Sequence, residues 1–150
     1  MLRDLGWLKK VKIWNGTNTA EVTPAGRLQV DTALPAPPAE ATAVSVTEYG
    51  NVATEKDYDY LIPNGETLII QRFSAGAEPA GGSNIELWYD PDGTKLNMEI
   101  IDVIFSDGQS DQHDLNAEYI GDETKRIIMR RTGIGSSNAR LIFGRWEGYY

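Results

Sequence analysis

Apolar and polar positions alternate with period two along most of the chain, which is the pattern of half-buried strands rather than of helices. In "KVKIWN", Val11 and Ile13 share one face and Lys10, Lys12 and Trp14 the other. "RLQV" sets Leu28 and Val30 together. The Asn-Gly of "NGTN" at 15–18 predicts a hairpin turn, and 24–26 predicts a second turn. Further on, "AVSVTEY" opposes Val44 and Val46 to Ser45 and Thr47, and "NIELWY" lines up Ile85, Leu87 and Tyr89. "ETLIIQRF", "KRIIMRRT" and "ARLIFGRW" read as further strands. "MEIIDVIF" has so many apolar residues that it reads as a central strand covered on both faces. Only "DLNAEYIGDETK", 114–125, offers a turn or two of helix, behind an Asp cap.

Short strands at fairly even spacing, joined by Gly-, Asp- and Ser-rich loops, predict an all-β chain with an antiparallel β-sandwich or jelly-roll-like body. Its expected core holds Leu68, Ile70, Leu87, Ile100, Val103, Phe105, Ile127, Met129, Leu141 and Phe143. "TALPAPPAEATA" at 32–43 interrupts the alternation with three prolines and five alanines. It reads as an extended linker. The expected organisation is therefore a β arm at 1–32, a linker at 33–43 and a body at 44–150. In polyproline form twelve such residues span about 37 Å, enough to carry the arm onto another subunit.

Charge sharpens this division. The whole chain of 150 residues carries −8. Residues 1–32 hold Arg3, Lys9, Lys10, Lys12 and Arg27 against Asp4, Glu21 and Asp31, a net of +2, so the rest carries −10. An acidic protein is repelled by nucleic acid, so no nucleic-acid partner is expected. The basic arm suits an acidic neighbour. No apolar run approaches the ~18 residues of a membrane helix, and "MLRDLGWLKK" lacks the apolar core of a secretory signal. A soluble protein without membrane association is expected.

The search for chemistry finds little. There is no Cys, hence no disulfide and no thiolate metal site. His113, the single histidine, lies in "SDQHDL" and reads as a solvent-facing loop residue. "DPDGT" at 90–94 starts like a calcium loop, but Gly93 comes two residues early and the twelfth position is Ile101 instead of Glu. A tight turn is the better reading. "GIGSSN" at 133–138 lacks the lysine of a phosphate loop. The cations of "KRIIMRRT" read as ion-pair partners of neighbouring strands or subunits. No catalytic residue, metal site or cofactor is expected.

What remains points to assembly. The arm has strand chemistry but little bulk, so its core can be completed by another chain through edge pairing; folding back on its own body is the alternative. Trp7, Val11, Ile13, Trp14, Arg27, Leu28 and Val30 are the candidate arm contacts. "RLIFGRWEGYY" supplies Arg145, Trp146, Tyr149 and Tyr150, the residue types that interface centres favour; packing within the chain's own last strand is the alternative.

"VKIWNGTNTAEVTPAGRLQV" resembles the "DGTNTA-V-AGRL-V" opening of tailed-bacteriophage virion proteins. "IPNGETLIIQRFSAGAE", "ELWYDPDGTKL" and "IIMRRTGIGSSNARLIFGRWEGYY" are similar to segments of small phage structural proteins. The resemblance implies a non-enzymatic virion component, a decoration or cement protein on the head exterior. It would be a homo-trimer, bound to the major capsid protein and assembled in the bacterial cytoplasm. A tail, neck or baseplate component, or one that binds host-surface glycan through loops 74–84 or 106–114 with Trp88 or Tyr89, is the alternative.

Overall fold

The computed structural model describes residues 10–11, 20–22, 28–30, 34, 36–78, 82–133 and 140–150, with side chains described from residue 34 onward, Arg140 excepted. The chain divides into two compact units, Met1–Ala36 and Pro37–Tyr150.

In the first unit, β1 (Lys10–Val11), β2 (Ala20–Val22) and β3 (Leu28–Val30) form an antiparallel sheet in the order β1-β2-β3. Lys10 faces Glu21, and Ala20 faces Val30. The arm segments thus pair with one another. The predicted turns at 15–18 and 24–26, and Trp7, Ile13, Trp14 and Arg27, lie outside the described residues; Val11, Leu28 and Val30 are described in their backbone alone.

The second unit contains eight strands: β4 (Ala43–Val52), β5 (Glu55–Leu61), β6 (Thr67–Ala77), β7 (Ser83–Asp90), β8 (Glu99–Ser106), β9 (Ser110–Ile120), β10 (Arg126–Gly133) and β11 (Arg140–Tyr149). They form two antiparallel sheets in the orders β4-β11-β6-β9 and β5-β10-β7-β8. The chain changes sheet at every connection except β7 to β8. This is the connectivity of an eight-stranded jelly roll, and it agrees with the expected sandwich. Reciprocal backbone bonds between Thr42 and Tyr150 (2.8 and 3.1 Å) tie the two ends of this unit together.

The core lies between the sheets. Ile85, Leu87, Ile127 and Met129 face Leu68, Ile70, Phe73, Ile142 and Trp146, all fully buried. Each large apolar side chain so enclosed contributes on the order of 1.5–3 kcal/mol of transfer free energy. The sheets are close-packed at Gly144, where a Cβ would sit 2.5 Å from Met129 Sδ.

Three expectations are corrected here, and one strand was not foreseen. Residues 114–125 hold no helix. Most of the segment belongs to β9, whose His113, Leu115, Ala117 and Tyr119 turn inward in strict alternation. Pairing with β6 supplies the backbone partners that an isolated helical turn would lack. "MEIIDVIF" is an edge strand with one neighbour, β7. Its Ile100, Val103 and Phe105 are 54%, 38% and 62% exposed, while Ile104 takes the core position. On β11 the phase is opposite to that expected: Ile142 and Trp146 face the core, and Leu141 and Phe143 do not. Finally, "EKDYDYL" is a strand, β5, which the density of charge conceals.

Candidate interaction surfaces

The predicted C-terminal contacts are separated by the alternation of β11. Trp146 is fully enclosed and meets Tyr60 edge to face, with ring centroids 5.0 Å apart. It therefore offers no side-chain surface to another subunit. Tyr149 is buried, and Tyr150 is half-buried with its hydroxyl bonded to that of Tyr60. Burial first, then this bond, raises the Tyr60 pKa well above the ordinary phenol range. Arg145 alone among the four is exposed. Its Nε donates to Ser45 Oγ (3.2 Å), and its guanidinium pairs with Glu147.

The basic stripe of β10 makes intrachain ion pairs. On the outer face of the β5-β10-β7-β8 sheet, Arg130 donates to both oxygens of Asp57 (2.8 and 3.0 Å), and Arg126 reaches Asp59 (3.3 Å). Lys95, from the β7–β8 loop, bridges Asp57 and Asp59 (3.3 and 2.8 Å). Arg131 points inward instead and is 1% exposed. It donates to Ile142 O (3.1 Å) and to Glu48 Oε2 (3.1 Å), joining the two sheets.

His113 is a strand residue, not a loop residue. Its Nδ1 lies 2.7 Å from Asp102 Oδ2, which links the edge strands β9 and β8. Its Nε2 faces Asp111 at 3.6 Å. A hydrolytic triad needs a nucleophile at that second nitrogen; here a carboxylate occupies the position. The ring lies between two acids, Asp102 and Asp111.

"DPDGT" forms the predicted turn. Asp90, fully buried, accepts hydrogen bonds from the backbone N–H groups of Asp92, Gly93 and Lys95. Asp92 accepts from Thr94 N and from Asn97 Nδ2, both at 2.9 Å. These carboxylates thus brace the loop. Among the described residues no group of three or more His, Asp or Glu could hold a metal ion.

The same bonds make the fold acid-sensitive. Arg130 holds the Asp57 carboxyl below its ordinary value, against some burial. Hydrogen bonds from Thr94 and Asn97 bring Asp92 to about 2, and Thr124 brings Asp122 to about 2. A carboxyl depressed on folding stabilises the native state above its unfolded pKa, near 3.8, and that stability is lost as pH falls through the folded value. The urea midpoint is therefore expected to stay level from neutrality to about pH 5 and to drop between about pH 4 and about pH 2. A level midpoint through that window would contradict the assignment.

Two exposed features of the described residues bear on binding. One is the apolar strip of β8, Ile100, Val103 and Phe105, beside an edge with open hydrogen-bonding groups. The other is a hollow of about 290 Å3 at one end of the β4-β11-β6-β9 sheet, lined by residues that include Tyr49, Gly76, Ser110 and Phe143. Assigning Phe143 to the core hid this hollow from the sequence reading. The parity of "SVTEYG", which places Tyr49 on the polar Ser45–Thr47 face, was the signal available. No protein-family model matches the chain, and no curated protein matches it either.

Proposed function

We propose that the protein is a non-enzymatic structural component of a bacteriophage particle, a decoration protein on the exterior of the head that bridges capsid subunits. The observation that carries this reading is the division of the chain into a small strand-built unit, Met1–Ala36, and an acidic sandwich, Pro37–Tyr150, with the Pro/Ala-rich segment at their boundary. The phage-like strand-and-turn phrases of both units support it, as does the way the titratable side chains described above are engaged in bracing loops and joining strands.

In this reading the basic arm pairs with the major capsid protein or with a neighbouring copy, and the acidic body faces solvent. Three copies form the unit that sits between capsomers. Each added contact is modest, but repetition by symmetry multiplies it over the shell. Binding to the assembled shell and not to its separated subunits raises the resistance of the head to rupture. The absence of cysteine suits assembly in a reducing cytoplasm.

Deletion of residues 1–32 tests the arm. The shortened protein is expected to keep its β-sheet circular dichroism and cooperative melting, because the sandwich has its own core. It is expected to lose co-sedimentation with heads that lack the protein. Undiminished co-sedimentation would move the anchor from the arm to the body. Failure of the full-length protein to bind heads would reject the decoration reading.

A further inference from the structure

We propose that the outer face of the β4-β11-β6-β9 sheet carries a binding site for a neutral sugar ring, a function that does not depend on attachment to a capsid. The register of the sheet brings Tyr49, Phe143, Gly76 and Ser110 into one row across all four strands. Gly76 is what gives the Phe143 ring its place in the row. A Cβ at this position would stand 2.6 Å from Phe143 Cε1 and 3.1 Å from Ser110 Cα. The Phe143 ring therefore reaches over the bare backbone of Gly76. Tyr49, directly opposite Phe143 on the edge strand, is 68% exposed. Both rings line the hollow, held by backbone that is already hydrogen-bonded in the sheet.

The other side of the hollow is polar. Gln109 and Ser110 line it, and an amide and a hydroxyl can each donate and accept. A pyranose has these two requirements at once: an apolar C–H face that packs on an aromatic ring, and a rim of hydroxyls that need both donors and acceptors. Charge selects among sugars. Among the described lining residues none is Lys or Arg, and the charged one, Glu78, accepts the Leu141 N–H at 3.2 Å. An anionic sugar or phosphate meets a carboxylate on an acidic body and no cation among the described lining residues. A neutral sugar carries no such penalty. Size argues the same way. About 290 Å3 is at the small end of the range for small-ligand sites, roughly 300–1,000 Å3. Trp88 and Tyr89, the aromatics that the sequence offered for this role, are engaged elsewhere: Trp88 Nε1 donates to Glu86 (2.8 Å), and Tyr89 stacks on Tyr119.

The test uses the full-length protein on an immobilised panel of glucose, galactose, mannose and N-acetylglucosamine oligomers, beside sialylated and phosphorylated glycans. At least one neutral oligomer is expected to bind, with saturation transfer to its ring protons in solution. Tyr49→Ala is expected to weaken that binding roughly tenfold while leaving the melting temperature in place, since the side chain is exposed. Gly76→Ala, which displaces the Phe143 ring, is expected to weaken it at least as much. The proposal is overturned if no neutral oligomer binds, if only anionic glycans bind, or if Tyr49→Ala binds as the parent does. It is also overturned if Tyr49→Ala lowers head binding in a protein that shows no glycan binding, because the hollow is then a protein contact. The panel needs no capsid, so its result stands apart from that of the arm deletion.

Discussion

Trp146→Ala is expected to destabilise the body by about 3–5 kcal/mol, the cost of emptying a large aromatic site in a packed core. The side chain is fully buried between the sheets and edge-on to Tyr60. Its two neighbours on the same face of β11, Gly144 and Gly148, have no side chain with which to fill the space. At about 2–4 °C per kcal/mol for a chain of this size, the melting temperature should fall by roughly 6–20 °C. The indole Nε1 is buried without a hydrogen-bond partner, so Trp146→Phe removes an orphan donor along with some volume and should cost clearly less than alanine. Thermal melts of the two variants decide the matter. Trp146→Ala that melts with the parent but no longer binds heads would make Trp146 an interface anchor and contradict its place in the core.

Glu48→Ala is expected to cost about 2–4 kcal/mol, because it strands the buried Arg131 guanidinium. Burial presses the Arg131 pKa down, and the Glu48 charge opposes that pressure. Without Glu48 one hydrogen bond to Ile142 O remains, and Arg131 Nε is already unpartnered. The lower part of the range reflects the partial exposure of Glu48, whose side chain is 24% accessible and lets some water reach the site. The double variant Arg131→Met with Glu48→Gln removes both charges and keeps most of the volume, so it should recover most of the loss. Urea titrations of the single and double variants check this. A double variant no more stable than Glu48→Ala would show that the pair holds the sheets together through more than its charge balance.

The sandwich could be read from particular strands. "NIELWY" alternates cleanly, and Ile85 and Leu87 occupy the core positions that the pattern assigns. Leu68, Ile70, Ile127 and Met129 follow the same rule. The pattern failed where both faces of a strand are apolar. In "MEIIDVIF" and "RLIF", hydrophobicity alone does not say which parity faces inward, and a shift of one residue exchanges the faces. It also failed in β5, where Glu55, Asp57 and Asp59 on the outer face conceal Tyr58 and Tyr60 on the inner one. In β9, the short apolar spacing of Leu115, Ala117 and Tyr119 fits one turn of helix almost as well as a strand until β6 pairs with it.

The candidate sites divide in the same way. The ion pairing of "KRIIMRRT" and the turn at "DPDGT" were legible, because both depend on residue type and short spacing. The clamp of His113 between Asp102 and Asp111, and the buried bond from Arg131 to Glu48, join segments that only the sheets bring together. The row Tyr49–Phe143–Gly76–Ser110 draws on four strands that lie far apart in the chain.

By itself, then, the amino-acid sequence determined the strand periodicity, the turn chemistry, the Pro/Ala boundary and the charge contrast between arm and body. Each of these is set within a few residues by backbone preference or by simple composition. Tertiary structure alone decided the jelly-roll strand order, which strands are edges, which face of β8 and β11 turns inward, and where a hollow opens beside Tyr49 and Phe143. Those features depend on which distant strand supplies the neighbouring hydrogen bonds, and on the one side-chain parity that the resulting register can bury.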